Sequence, residues 1–93
     1  MPSVNYPRLA KAVGIKGKAN VEVWIDEDGD VRFAKMISGD EIVKEAVVEA
    51  AFQAKMPPLL LGGEPIKMKG ILIFEYDFSE YNSPFIKLVY WTQ

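Results

Sequence analysis

From Lys18 to Ile25 polar and apolar residues alternate without a break. Ala19, Val21, Val23 and Ile25 fall in one phase, Lys18, Asn20, Glu22 and Trp24 in the other. A period of two belongs to a strand with one buried face. After a polar gap, VRFAKMIS reads as the returning strand. Its Val31 and Phe33 share one phase while Ala34 and Met36 take the other, which predicts a bulge. The period then changes. Over GDEIVKEAVVEAAFQAKMPP, residues Ile42, Val43, Ala46, Val47, Ala50, Ala51 and Ala54 recur at helical spacing and form one apolar stripe. Asp40 suits the N-cap, Glu41 the first turn, and Pro57-Pro58 stops the helix.

Ahead of the first strand, Tyr6-Pro7 opens a short helical segment with Leu9, Ala12 and Val13 at helical spacing and Gly14 at its end. LLLGGEP reads as a connector with a glycine turn. IKMKGILIFEYDF reads as a long strand, covered on both faces over part of its length. The tail is too apolar for a free end: Phe85, Ile86, Leu88, Val89, Tyr90 and Trp91 crowd both phases of a segment with high β-propensity. Either it forms a fourth strand within the monomer, blocking the edge of the long strand, or it crosses to another chain. The order is helix, strand, strand, helix, strand, with a possible extra C-terminal strand. It predicts an α+β fold: a small antiparallel sheet of three to four strands with two helices packed on one face. Residues 1–78 form the expected domain and 79–93 an apolar extension, either a strand or an exchanged segment.

Composition narrows the function more than the fold. A net charge of −2 gives no general attraction to nucleic acid, so none is expected as a partner. The 93 residues contain no cysteine and no histidine, which removes disulfides, thiolate metal sites, the usual general base and the commonest metal ligand. No apolar run is long enough to span a bilayer, and no signal peptide opens the chain. IDEDGDV, residues 25–31, is the one acidic cluster that invites a metal or catalytic reading. Counted from Asp26, the glycine stands at position four, not the six of an EF-hand, and Ile37 stands where the bidentate glutamate would be. Asp28-Gly29 between two extended runs is a hairpin signal instead. Carboxylates on a short hairpin tip stay hydrated, so nothing lifts a pKa for acid–base work. Neither enzyme chemistry nor a cofactor is expected.

Three stretches, YPRLAKAVGIKGKANVEVWIDEDGDV, MISGDEIVKEAVVEAAFQAKMPP and EPIKMKGILIFEYDF, together resemble the C-terminal domain of the TonB family of energy transducers, over about Tyr6 to Phe78. The related domain of TolA has a similar architecture. One departure is plain. Where the family often ends its helix in a Trp–basic–aromatic–Pro run, this chain has Ala54, Lys55, Met56 and Pro57, so either the missing volume falls to Phe52 or Met56 or the domain packs differently there. The resemblance implies a non-enzymatic periplasmic module. It would grip the N-terminal box of outer-membrane transporters and transmit force from inner-membrane motor proteins, through an N-terminal anchor and spacer that lie outside this chain.

Such a grip works by strand addition, in which an extended peptide satisfies the free N–H and C=O groups of a sheet edge. The resemblance points to the strand Ile66–Phe78 as that edge, with Ile66, Lys67, Met68, Lys69, Ile71, Ile73, Glu75 and Asp77 along it. Tyr6, Pro7 and Arg8 match the region that approaches the transporter. The bland readings stand beside these: Lys67, Lys69, Glu75 and Asp77 as a solvated strand face, Pro7 as a helix start, Tyr6 as packing. Candidate contacts of a homodimer are Trp24, projecting from the polar phase of its strand, Val48 and Phe52 on the charged side of the second helix, and Phe85, Leu88, Val89 and Trp91 in the tail. A stand-alone assembly domain forming strand-exchanged homodimers is the alternative function.

Overall fold

A computed structural model describes residues 8–79 and 84–92. The elements run α1 (Arg8–Val13), β1 (Lys16–Ile25), β2 (Val31–Ser38), a 3-10 turn (Glu41–Val43), α2 (Lys44–Gln53), β3 (Leu59–Leu61), β4 (Glu64–Ile66), β5 (Met68–Asp77) and β6 (Phe85–Thr92). Four strands form one antiparallel sheet in the order β2-β1-β5-β6, and among the described residues β3 and β4 pair only with each other. The fold is thus the expected small α+β class. The tail is the fourth strand, paired within its own chain.

The alternation of β1 is realised residue by residue: Ala19, Val21, Val23 and Ile25 are buried, and Trp24 is exposed. Leu72, Phe74 and Tyr76 of β5 join them on the face that α2 covers, and Phe78 follows beyond the strand. The predicted bulge in β2 is real, and there are two. Trp24 pairs with Phe33 and Ile25 with Val31, which skips Arg32; Asn20 pairs with Ser38 and Val21 with Met36, which skips Ile37. Two bulges let Val31, Ala34 and Met36 all turn toward the core side despite their mixed spacing.

Asp40 accepts the Ile42 N–H at 2.9 Å and caps the 3-10 turn from which α2 continues. Val43, Ala46, Val47 and Ala51 are buried, while Ile42, Ala50 and Ala54 pack against the same core. The stripe read from the sequence is the packed one. Met56 is buried and Phe52 about half exposed, so Met56 supplies the volume that Ala54 lacks. In α1 the apolar side is not the expected one. Ala10 is buried against the 3-10 turn, whereas Leu9 and Val13 are exposed and Ala12 lies at the surface. A helix of fewer than two turns packed this closely takes a methyl on its inner side.

Gly17 and Tyr76 sit directly opposite in the β1–β5 pair, and the tyrosine hydroxyl lies 3.0 Å from where a Cβ on Gly17 would be. The ring covers the glycine and fills the space its missing side chain leaves.

Candidate strand-addition surface

The acidic stretch is a hairpin tip, and its carboxylates are used in holding it. The Gly29 N–H donates to the Asp26 carbonyl at 3.0 Å, and the Asp26 N–H donates to the Asp30 carbonyl at 2.9 Å. Gly29 takes the left-handed φ of +86° that this three-residue loop requires. Asp26 Oδ1 accepts the N–H groups of Asp28 and Asp30, and Arg32 Nε pairs with Oδ2 at 3.0 Å. The N–H of Asp30, helped by that of Asp28 and by the Arg32 and Lys55 charges, holds the Asp26 carboxyl below its usual range against a smaller desolvation effect. One carboxylate oxygen from each of Asp26, Asp28 and Asp30 lies within 4.8 Å of the others. The backbone and cation partners of Asp26 and the Lys55 partner of Asp30 account for that convergence. The tip is also latched to the end of α2. The Met56 N–H donates to the Gly29 carbonyl at 2.9 Å, and Lys55 Nζ donates to Asp30 Oδ1 at 2.8 Å.

The main sheet ends in two edges, β2 and β6. The β2 edge is blunted by its two bulges, by Arg32 and Lys35, and by the bridge from Asp30 to Lys55 at its start. The β6 edge carries a bulge at Val89 but no charge from Leu88 to Thr92. The expectation that Ile66–Phe78 is an edge is therefore corrected. Ile66 ends β4, Phe78 lies beyond the strand, and β5 is interior, hydrogen-bonded to β1 on one side and β6 on the other. The physical reason is the tail itself: its apolar run gains partners by completing the adjacent lane.

None of the eight residues of β6 is buried; Phe85, Ile86 and Trp91 are half-buried and the rest exposed. Ile86, Leu88 and Trp91 stand opposite Tyr76, Phe74 and Leu72 on the core side. Lys87 stands opposite Glu75, with Nζ 3.6 Å from its carboxylate, and Tyr90 opposite Ile73 on the helix-free side. Lys87 thus helps fill this lane without having been singled out in the sequence, and Tyr90 was read only as part of the apolar tail. The signal was the tail's alternation once a bulge at Val89 is allowed.

Ile71, Ile73, Glu75 and Asp77 do share one face, the helix-free one, and all are half-buried. Asp77 accepts the hydroxyl and N–H of Ser79, which hold its carboxyl below the usual range. Lys69 reaches Glu22 at 3.7 Å and lies over the Trp24 ring, and Lys67 precedes the strand, exposed. Tyr6 and Pro7 lie outside the described residues, and Arg8, exposed, opens α1. Of the candidate dimer contacts, Trp24 and Phe52 are about half exposed on opposite sides of the sheet, and Val48 is half-buried on α2. Phe85, Leu88, Val89 and Trp91 are divided between the two faces and the free margin of β6. The structure thus does not bring the proposed dimer contacts into one patch. No helix among the described residues is long and apolar enough to cross a membrane.

Residues 2–78 match the family model described as Gram-negative bacterial TonB protein C-terminal. A curated relative, "Protein TonB" of Vibrio cholerae, is 35% identical over 63 residues, 66% of this chain. The matched region spans 26% of that relative's length. The chain belongs to the TonB C-terminal family.

Proposed function

We propose that this TonB-type domain works without covalent chemistry in the periplasm. It captures the extended N-terminal box of an outer-membrane transporter as an added strand and transmits force to it from an inner-membrane motor. The observation that carries the reading is the peripheral hold of β6. It pairs along β5 from Phe85 to Thr92, yet buries none of its residues. The lane beside β5 is backed by the packed core, whereas the far side of β6 offers only exposed groups. The incoming segment takes the β5 lane, and β6 leaves it.

The energetics favour exchange over simple addition. A backbone hydrogen bond nets about 0.5–1.5 kcal/mol. Replacing one strand by another breaks and remakes such bonds in similar number. The partner then has to outcompete a tethered strand, and its apparent affinity falls by the fraction of molecules with the lane open. A chain ending at Ser79 removes that competitor. Titrated with a transporter-box peptide and followed by amide NMR, it is expected to bind at least ~10-fold more tightly than the full chain, with shifts centred on Met68–Asp77. Shifts confined to β2 or α2, or a folded truncated chain that no longer binds, would overturn the reading.

A second reading rests on the same strand. Exchange of β6 between two copies reproduces every β5–β6 contact and gives a homodimer at little cost beyond the hinge. Sedimentation of the full and truncated chains separates the two: an assembly domain dimerises only with β6 present.

A further inference from the structure

We propose that the lane beside β5 selects its occupant by charge: Glu75 favours an extended segment reading apolar–basic–apolar and disfavours one with an acidic residue at the centre. The inference rests on the strand-capture reading and adds to it which segments are captured. β6 is the guide to what the lane takes, because it is the strand seated there.

The eight residues of β6 carry one charge, Lys87. That lysine stands opposite Glu75, between Ile86 opposite Tyr76 and Leu88 opposite Phe74. The two sides of the lane call for this alternation. Tyr76 and Phe74 are buried, so the residues over them belong to the apolar phase. Glu75, half-buried, lies on the helix-free side and faces the opposite phase.

Two carboxylates line that helix-free side, Glu75 and Asp77. Asp77 is already engaged by the hydroxyl and N–H of Ser79. Glu75 instead depends on the lane: its ion-pair partner among the described residues is Lys87, with Nζ 3.6 Å from Oε1. The same Nζ lies 5.0 Å from the centre of the Phe85 ring, so carboxylate and ring hold the cation together. Across β5, Lys18 and Lys16 stand opposite Glu75 and Asp77 on β1. They are two strand spacings from the lane, about 10 Å, where salt screens exposed charges. An acidic residue entering opposite Glu75 meets the near carboxylate before the far lysine.

Amide NMR titrations of the full chain with short synthetic peptides test this. The peptides alternate threonine and valine and differ only at the central residue, which is lysine, glutamine or glutamate. β6 competes with all three alike, so its competition cancels from their affinity ratios. The lysine peptide is expected to bind at least about threefold more tightly than the glutamate one, because facing opposite charges stabilise and facing like charges destabilise. Glu75→Lys should invert that order. It also loosens β6 by facing Lys87, which is why ratios are read. Glu45→Lys makes the same change of net charge at an exposed site on α2 and should keep the order. If Glu75→Lys fails to fold, Glu75→Gln decides in its place, and its ratio should fall toward one. Equal affinities for the three peptides, an order unchanged in the Glu75 variants, or an order that Glu45→Lys also inverts would overturn charge selection alone. Binding of none of the peptides, or shifts away from Met68–Asp77, would overturn strand capture and this inference with it.

Discussion

At Gly29 the requirement for glycine is twofold. Its φ of +86° disfavours any side chain, and a Cβ there would lie 1.9 Å from the Met56 carbonyl oxygen. Gly29→Ala is therefore expected to cost about 3 kcal/mol or more in urea unfolding. Gly62→Ala, at a positive φ but in open space, should cost only about 1 kcal/mol. Equal losses at the two positions would show that the α2 latch does not matter. Asp26 gives a pH signature. Its carboxyl sits below the ordinary value of 3.8, first because the Asp30 N–H donates to it. The stabilisation is present above that value and is lost as pH falls through the lower folded pKa. In acid titrations of stability, Asp26→Asn should be less stable than the parent near neutrality and converge with it below about pH 4; a constant gap would mean that charge plays no part. The turn at Asp28-Gly29 was legible because loop chemistry is local. The latch to Met56 was not, since nothing in seven residues announces a contact with a segment more than twenty residues away.

Among the elements, β1 and α2 were readable because a single face of each meets the core, so periodicity and burial coincide. β6 was not, because pairing within the chain and crossing to a neighbour satisfy the same apolar demand. The β3–β4 hairpin was read as a connector with a glycine turn; three residues a side are too few to show a period. The candidate site suffered from the same gap. Ile71, Ile73, Glu75 and Asp77 alternate along the long strand and so share a face, but whether that strand lay at a margin depended on the tail. If β6 is as peripheral as its exposure implies, the chain ending at Ser79 should remain folded. Its far-UV circular dichroism should lose strand signal, yet unfolding should stay cooperative in urea, with a reduced m-value reflecting less buried surface. Collapse of the truncated chain would make β6 part of the core.

For the molecule as a whole, class and helix placement followed from the order of periods along the chain, but strand order did not. Antiparallel pairing of β1 with β2 is what a hairpin dictates; the seating of β5 against β1 is a choice among edges that local pattern leaves open. That seating has a kinetic consequence. The central ladder joins Lys16 to Asp77 and Ile25 to Met68, so among the described strand pairs the middle of the sheet joins the two most distant in sequence. During synthesis, the β1–β2 hairpin and α2 emerge first and must wait, with one side of β1 bare, for β5 to arrive. Loop closure has to precede the reward, which places refolding in the millisecond-to-second range rather than the microseconds of helical domains. Stopped-flow refolding should show substitutions facing the β1–β5 seam slowing the folding arm, while those on β6 mainly speed the unfolding arm.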